Sequence, residues 1–259
     1  MRKFGLKLFS TNLNTNPALL EQGIELVKKH STDMFIELMI KDSGFAELDV
    51  LAKMFAGIEV RLHAPHHLLG FDAGNPALES SNRKLLEPVQ YAADIMHAKT
   101  MVVHAGCGEA KEYLKETIRQ FKLFNDKRIV VENLPLHSDG VILHGTTPAE
   151  IKTIMEQTGC GFCFDFSHAV CAAYAMGCKP EALLAGFYAL NPTVYHLCDG
   201  FTDDEEDNHF HYGDGKFPLG LWLKKYTADD AYITMETGMT CPQDISPWAK
   251  DYEYIRKLG

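Results

Sequence analysis

Residues 128–132 read Arg-Ile-Val-Val-Glu132, a short apolar run that stops on a carboxylate able to bind a metal or move a proton. The same kind of ending recurs on both sides of it, as VRLH (60–63), MVVH (101–104), FCFD (162–165), TVYH (193–196) and YITME (232–236). The six terminal residues, His63, His104, Glu132, Asp165, His196 and Glu236, are 41, 28, 33, 31 and 40 residues apart. Each interval is about one strand plus one helix and its loops. In a barrel of alternating strands and helices the C-terminal strand ends face one mouth, so residues far apart in sequence converge there. The pattern predicts one polar site.

Near-continuous apolar runs mark strands buried on both faces. Eight are present, at 4–9, 34–39, 58–63, 100–104, 128–132, 161–165, 193–197 and 232–236. Helical patterns fall between them. Leu85, Leu86, Val89, Ala92, Ala93 and Met96 follow the three- and four-residue spacing of one apolar helix face, with Pro88 marking a kink or a first turn. Thr147-Pro-Ala-Glu150 reads as an N-cap threonine, a proline at the first helical position and a glutamate closing a capping box, so a helix is expected from Pro148 to Thr158. Alternating strands and helices predict parallel pairing with right-handed crossovers, and the count of eight predicts closure. The expected fold is a single (β/α)8 TIM barrel, one domain over residues 1–259. An open doubly wound sheet is the alternative, but no GxGxxG follows the first strand.

Hydrophobic residues at 46% and charged residues at 23% are ordinary globular values. A net charge of −10 repels phosphate backbones, so nucleic acid is not the expected partner. Lys7 interrupts the apolar run of MRKFGLKLFS, which therefore does not read as a signal peptide, and no run of 18 apolar residues suggests a membrane span. The seven cysteines are scattered, and Cys160 and Cys163 lack a second pair, so a reduced, cytoplasmic protein is expected in place of a zinc ribbon. Cys163 reads as a packing residue.

Carboxylates at the ends of buried strands are costly unless paired, hydrogen-bonded or metal-bound. Any one could serve a plain ion-pair network, but Glu132, Asp165, His196 and Glu236 on four successive strands point jointly to a divalent metal, Zn²⁺, Mn²⁺ or Mg²⁺. His168 follows Asp165 by three residues where the chain is expected to turn into a loop. Asp207 and His209 add a carboxylate and an imidazole, and His63 and His104 two more imidazoles. His66, His67, His137, His144 and His211 take the default reading of hydrogen-bonded structural imidazoles. His66 and His211 are nonetheless carried, with His168 and Lys216, as candidate substrate contacts. Lys224 and Lys225 are weaker phosphate candidates, since lysine is mostly an exposed residue. The acidic run Asp203–Glu206 reads as a solvated loop, and Phe187, Tyr188, Trp222 and Trp248 as core or as an interface between copies in a homo-oligomer.

Taken together, HAPHHLLGF (63–71), VVHAG (102–106), VVENLP (130–135), FDFSHA (164–169), YHLCDG (195–200), DNHFHYGDG (207–215) and METG (235–238) resemble the xylose-isomerase-like TIM barrels, the superfamily that also contains endonuclease IV. In its sugar isomerase and epimerase branch, the resemblance implies one divalent ion on Glu132, Asp165, His196 and Glu236. Glu132 and Glu236 would also move protons, and His168 would hold substrate oxygens. In the endonuclease IV branch it implies three zinc ions on His63, His104, Glu132, Asp165, His168, His196, Asp207, His209 and Glu236. The first two strand regions, GLKLFS and FIELMIKD, depart from the endonuclease pattern, and His66 stands where that branch has an aromatic DNA-wedging residue. HYGDGKFP is similar to a turn of the epimerases. The expectation is therefore a metal-dependent sugar or sugar-phosphate isomerase or epimerase, with a multinuclear zinc phosphodiesterase as the alternative. A barrel that binds a sugar or metal without turnover is the third reading.

Overall fold

In the computed structural model, which describes residues 1–108, 111–238 and 244–258, all eight expected strands form. They are β1 Lys3–Phe9, β2 Met34–Met39, β3 Val60–His63, β4 Met101–His104, β5 Ile129–Glu132, β6 Gly161–Asp165, β7 Val194–Leu197 and β8 Tyr232–Met235. Their ends fall within two residues of the expected positions. Each pairs in parallel with the next, and β8 pairs with β1 to close the barrel. That closure removes the open-sheet alternative.

The helices sit outside, and their apolar faces follow the spacing of the sequence. The helix Glu79–Ile95 buries Leu86, Val89, Ala92 and Ala93, and it runs through Pro88 beyond its first turn. In the helix Pro148–Thr158 the Thr147 side chain accepts from the Glu150 N–H as expected. The Glu150 carboxylate, however, accepts from Gly145 and Thr146, both at 3.0 Å, instead of closing back on Thr147. Phe187, Trp222 and Trp248 are core residues, while Tyr188 is exposed. No helix among the described residues is long and apolar enough to cross a membrane. The six described cysteines are free, and Cys241 lies outside the described residues.

Strand side chains alternate between the two faces, and this sorts the core into two parts. Leu62, Val103, Val131 and Phe164 point outward and join the main core under the helices. Val102, Val130, Cys163 and Val194 form a separate cluster that fills the lumen, so Cys163 packs as expected. Phe35 also fills it, and Gly5 is required beside it: a Cβ there would sit 2.5 Å from the Phe35 ring. Toward the N-terminal end the Arg61 guanidinium lies 3.6 Å from the Tyr232 ring centroid.

Candidate metal centre

Two residues beyond the lumen fillers Val102, Val130, Cys163 and Val194, the same inward alternation delivers His104, Glu132, Asp165 and His196 to the C-terminal mouth. A cavity of about 360 Å³ opens above them, lined among others by Lys7, His63, His104, His168, Asp207 and Glu236. Glu132, Asp165 and His196 lie beneath it, essentially inaccessible. All six strand-end residues are thus brought together.

Glu132 is the hub. Its Oε1 accepts from His196 Nδ1 at 2.8 Å, while Oε2 lies 3.0 Å from His104 Nε2 and 3.4 Å from His63 Nε2. Neither Oε2 contact has hydrogen-bond geometry. One ligand atom each from Glu132, Asp165, His196 and Glu236 lies within 4.8 Å of the others, and the same holds for His63, His104 and Glu132. A third group stands above: Asp207 Oδ2 is 3.1 Å from His168 Nε2 and 3.2 Å from His209 Nε2. Glu132 Oε2, Asp165 Oδ2, Asp207 Oδ2 and Glu236 Oε2 are buried without a hydrogen-bond partner among the described residues. Each such orphan costs about 1–3 kcal/mol or more. Converging orphan oxygens and imidazole nitrogens are what a divalent cation requires, so these residues fit the metal that the sequence implied.

The surrounding bonds aim the imidazoles. His63 Nδ1 lies 2.7 Å from the Ala64 carbonyl and His209 Nδ1 2.9 Å from that of Glu236, which makes each Nδ1 the donor and leaves Nε2 free for the site. His168 Nδ1 is held by the Asn133 carbonyl at 2.9 Å. His168 lies not in a loop but in the first turn of the helix Phe166–Ala175. Asp165 caps that helix, its Oδ1 accepting from the His168 N–H at 2.7 Å. For His196 the arrangement is reversed. Glu37 Oε2 meets its Nε2 at 2.9 Å and also accepts from Thr234 Oγ1 at 2.7 Å, leaving Nδ1 toward Glu132 and Glu236. Lys7 pairs with Glu236 and lies 3.7 Å from Glu37.

Electrostatics follow from this crowding. Burial alone would raise the Glu132 carboxyl, but His196 and His104 outweigh it and hold Glu132 well below the ordinary range. Glu236 is likewise lowered against burial, chiefly by Lys7 and then His196. Asp165 is pushed up to about 6 by burial, with Asp207, Glu236 and Glu132 adding to the rise and His168 opposing it. Burial works against the His168 imidazolium, yet Asp165 and Asp207 raise it to about 10. Burial drives His104 down to about 4 against the pull of Glu132, and His66 down to about 2 with help from His104 and His63.

Not every candidate reaches the site. His66 lines the cavity with its Nδ1 unpartnered. His211 lies outside the lining, tied to Asp251 at 2.6 Å. Lys216 also lies outside it, with an exposed side chain 6.0 Å from the Phe201 ring. Lys7 and Glu37 are the residues that sequence reasoning missed. A short hairpin, His137–Ser138 with Val141–Ile142, was not expected either. His137 pairs with Glu205 at 3.4 Å, so the hairpin and the acidic loop meet, and both reach the cavity through His137, Ser138, Asp139 and Glu206.

A profile of the xylose isomerase-like TIM barrel family matches residues 21–258, and the chain belongs to that family. Over 194 residues it is 26% identical to the probable endonuclease 4 of Mycobacterium ulcerans, a match spanning 70% of this chain and 74% of that one. Among solved structures, a D-tagatose 3-epimerase-like protein superposes with a TM-score of 0.72 at 18% identity, covering 99% of this chain and 96% of that one. Endonuclease IV from Thermus thermophilus superposes with a TM-score of 0.68 at 16% identity, covering 99% and 98%. The structural likenesses define the fold, and proteins named for both chemistries share it.

Proposed function

We propose that this barrel is a divalent-metal-dependent phosphoesterase that acts on a small phosphoester instead of duplex DNA. One observation carries the reading: all nine candidate ligands converge, with Glu132 shared between two groups and four of their own carboxylate oxygens buried without a hydrogen bond among the described residues. Charge supports more than one ion. Five carboxylates, Glu37, Glu132, Asp165, Asp207 and Glu236, face one ammonium, Lys7. A single divalent ion would leave the mouth negative toward an anionic substrate, whereas three would make it positive.

His63, His104 and Glu132 would hold one ion, Glu132, Asp165, His196 and Glu236 a second, and His168, Asp207 and His209 a third. When bound, divalent ions neutralise phosphoryl oxygens and acidify a water. The chain's own residues do the rest. Glu37 holds His196 by Nε2, and Lys7 keeps Glu236 ionised. His66, neutral at physiological pH, lines the cavity as a substrate contact. Met39, Leu68, Leu134, Pro135 and Leu143 give the cavity apolar surface that excludes water. Asp139 and Glu206 at its wall, with the net charge of −10, disfavour a polyanionic strand.

A single-metal sugar isomerase or epimerase is the second reading. The Lys7–Glu236 pair favours it, because an ionised Glu236 can take a carbon-bound proton. Elemental analysis of protein purified without added metal distinguishes the two, combined with hydrolysis assays on p-nitrophenyl phosphomonoester and diester. About three ions per chain with phosphoester hydrolysis supports the proposal. About one ion, with exchange of substrate carbon-bound hydrogen into solvent that is lost in Glu236→Gln, transfers the assignment to the second reading.

A further inference from the structure

The inward stripe of β7 does not stop at His196. Val194 and His196 point into the barrel, and the next residue in that alternation is Cys198, just past the strand end and 1% exposed. Its Sγ donates to Asp207 Oδ1 at 3.4 Å. The other oxygen of Asp207 is a buried orphan, on a side chain 8% exposed, flanked by His168 and His209. One ligand atom each from Cys198, Asp207 and His209 lies within 4.8 Å of the others. His209 itself has φ +48, a left-handed backbone that costs a non-glycine residue about 1 kcal/mol or more. Strain of that kind persists where the surroundings fix a side chain's direction.

We infer that Cys198 is a metal ligand, and that its thiolate completes the outermost group with Asp207, His209 and His168 as a site for a thiophilic divalent cation of the zinc class. The inference rests on the metal-centre reading given above, but Cys198 is not among the nine residues of that reading. Tetrahedral zinc, with Zn–S near 2.3 Å and Zn–N near 2.0–2.1 Å, places its ligand atoms roughly 3.3–3.6 Å apart. Cys198, Asp207 and His209 offer ligand atoms within 4.8 Å of one another, and His168 Nε2 is 3.1 Å from Asp207, spacings close to that requirement. On binding, the sulfur–metal bond forms as the S–H bond breaks and its proton leaves to solvent, since a coordinating thiol is deprotonated outright. Soft thiolate favours zinc, cadmium and cobalt over magnesium and manganese. The outermost position should therefore resist replacement by Mg²⁺ or Mn²⁺ even where the carboxylate-rich group accepts them.

The test is a Co²⁺ titration of chelator-stripped full-length protein, read by the number of ions bound and by the near-ultraviolet sulfur-to-cobalt charge-transfer band. Wild type should develop the band, Cys198→Ser should lose it together with about one ion, and Cys163→Ala should keep it. Several ions bound with no such band, or a band that survives in Cys198→Ser, overturns the inference while leaving the multinuclear reading intact. One ion with a Cys198-dependent band supports the ligand assignment and removes the multinuclear reading instead. Should Cys198→Ser fail to fold, X-ray absorption of the zinc-loaded Cys163→Ala protein decides: a sulfur shell near 2.3 Å is expected, and a purely nitrogen and oxygen environment excludes Cys198.

Discussion

The two ends of the barrel are both charged, yet they are built differently. At the N-terminal end Arg61 donates to Thr100 at 2.9 Å and stacks on Tyr232, and Glu59 receives Lys3 at 2.7 Å and Arg61 at 3.4 Å. Each Glu59 oxygen has a cation. At the C-terminal end the carboxylates outnumber the cations, and Glu132, Asp165, Asp207 and Glu236 each leave a buried oxygen without a hydrogen bond among the described residues. A satisfied charge cluster is a staple, whereas a cluster of converging orphans is a receptor. Charge inside a barrel is therefore uninformative until its partners are counted.

The largest way to test this contrast is to remove the ions. With metal about a thousandfold above its Kd, binding adds about 4 kcal/mol, so stripping with a chelator should lower Tm by on the order of 10 °C. Scanning calorimetry of loaded and stripped protein checks this, and equal Tm values would make the C-terminal cluster a staple too. Asp165→Asn comes next. It should reduce the ion content by about one per chain, while the stripped variant melts no lower than stripped wild type, because burial already disfavours the Asp165 carboxylate. A clear loss of stability without loss of metal would reverse its assignment.

Glu37→Gln should weaken metal binding by about 10- to 100-fold, the usual effect of losing a carboxylate that orients a ligand histidine. Competition against a chromophoric chelator measures it, and Glu37→Asp should recover part of the affinity. The smallest effect belongs to the other end. Lys3 and Arg61 hold the Glu59 carboxyl below its ordinary value although burial opposes them. Stability from this group is complete above the unfolded pKa of about 4.3 and is lost as pH falls through the lower folded value. Glu59→Gln should cost up to about 1 kcal/mol at pH 7, with the deficit shrinking below pH ~4 and the ion content unchanged.

Much of this architecture is legible in the sequence because burial on both strand faces leaves apolar runs that few other structures require. The strand-end residues stand out for the same reason, as single polar letters closing apolar words. Lys7 and Glu37 carry the same signal but sit in mid-strand. Lys7 in GLKLF reads as an interruption and Glu37 in FIELM as part of a motif, though both lie two residues after an inward neighbour, Gly5 and Phe35. Period-two alternation through the whole strand would find them. His211 and Lys216 escape the sequence for a different reason. They lie in a long connection where no periodicity fixes direction, and His211 turns to Asp251, forty residues away. The hairpin at 137–142 leaves no trace because it is two residues per strand and depends on tertiary contacts.

The apolar filling of the lumen closes the site from below, and its cavity opens at the C-terminal mouth. Val102, Val130, Cys163, Val194 and Phe35 are each at most 3% exposed and separate the carboxylate layer from Arg61 beneath it. Such a plug is an electrical insulator as well as a core: the side chains of Val102, Val130, Val194 and Phe35 carry no group that can pass a proton along the barrel axis. Protons released or taken up at the centre would then pass through the upper cavity, past His66 and under the hairpin, the corridor a substrate would also use. Traffic in that corridor would then couple substrate entry to proton exit, so that a bound product holds back the reset of the protonation state.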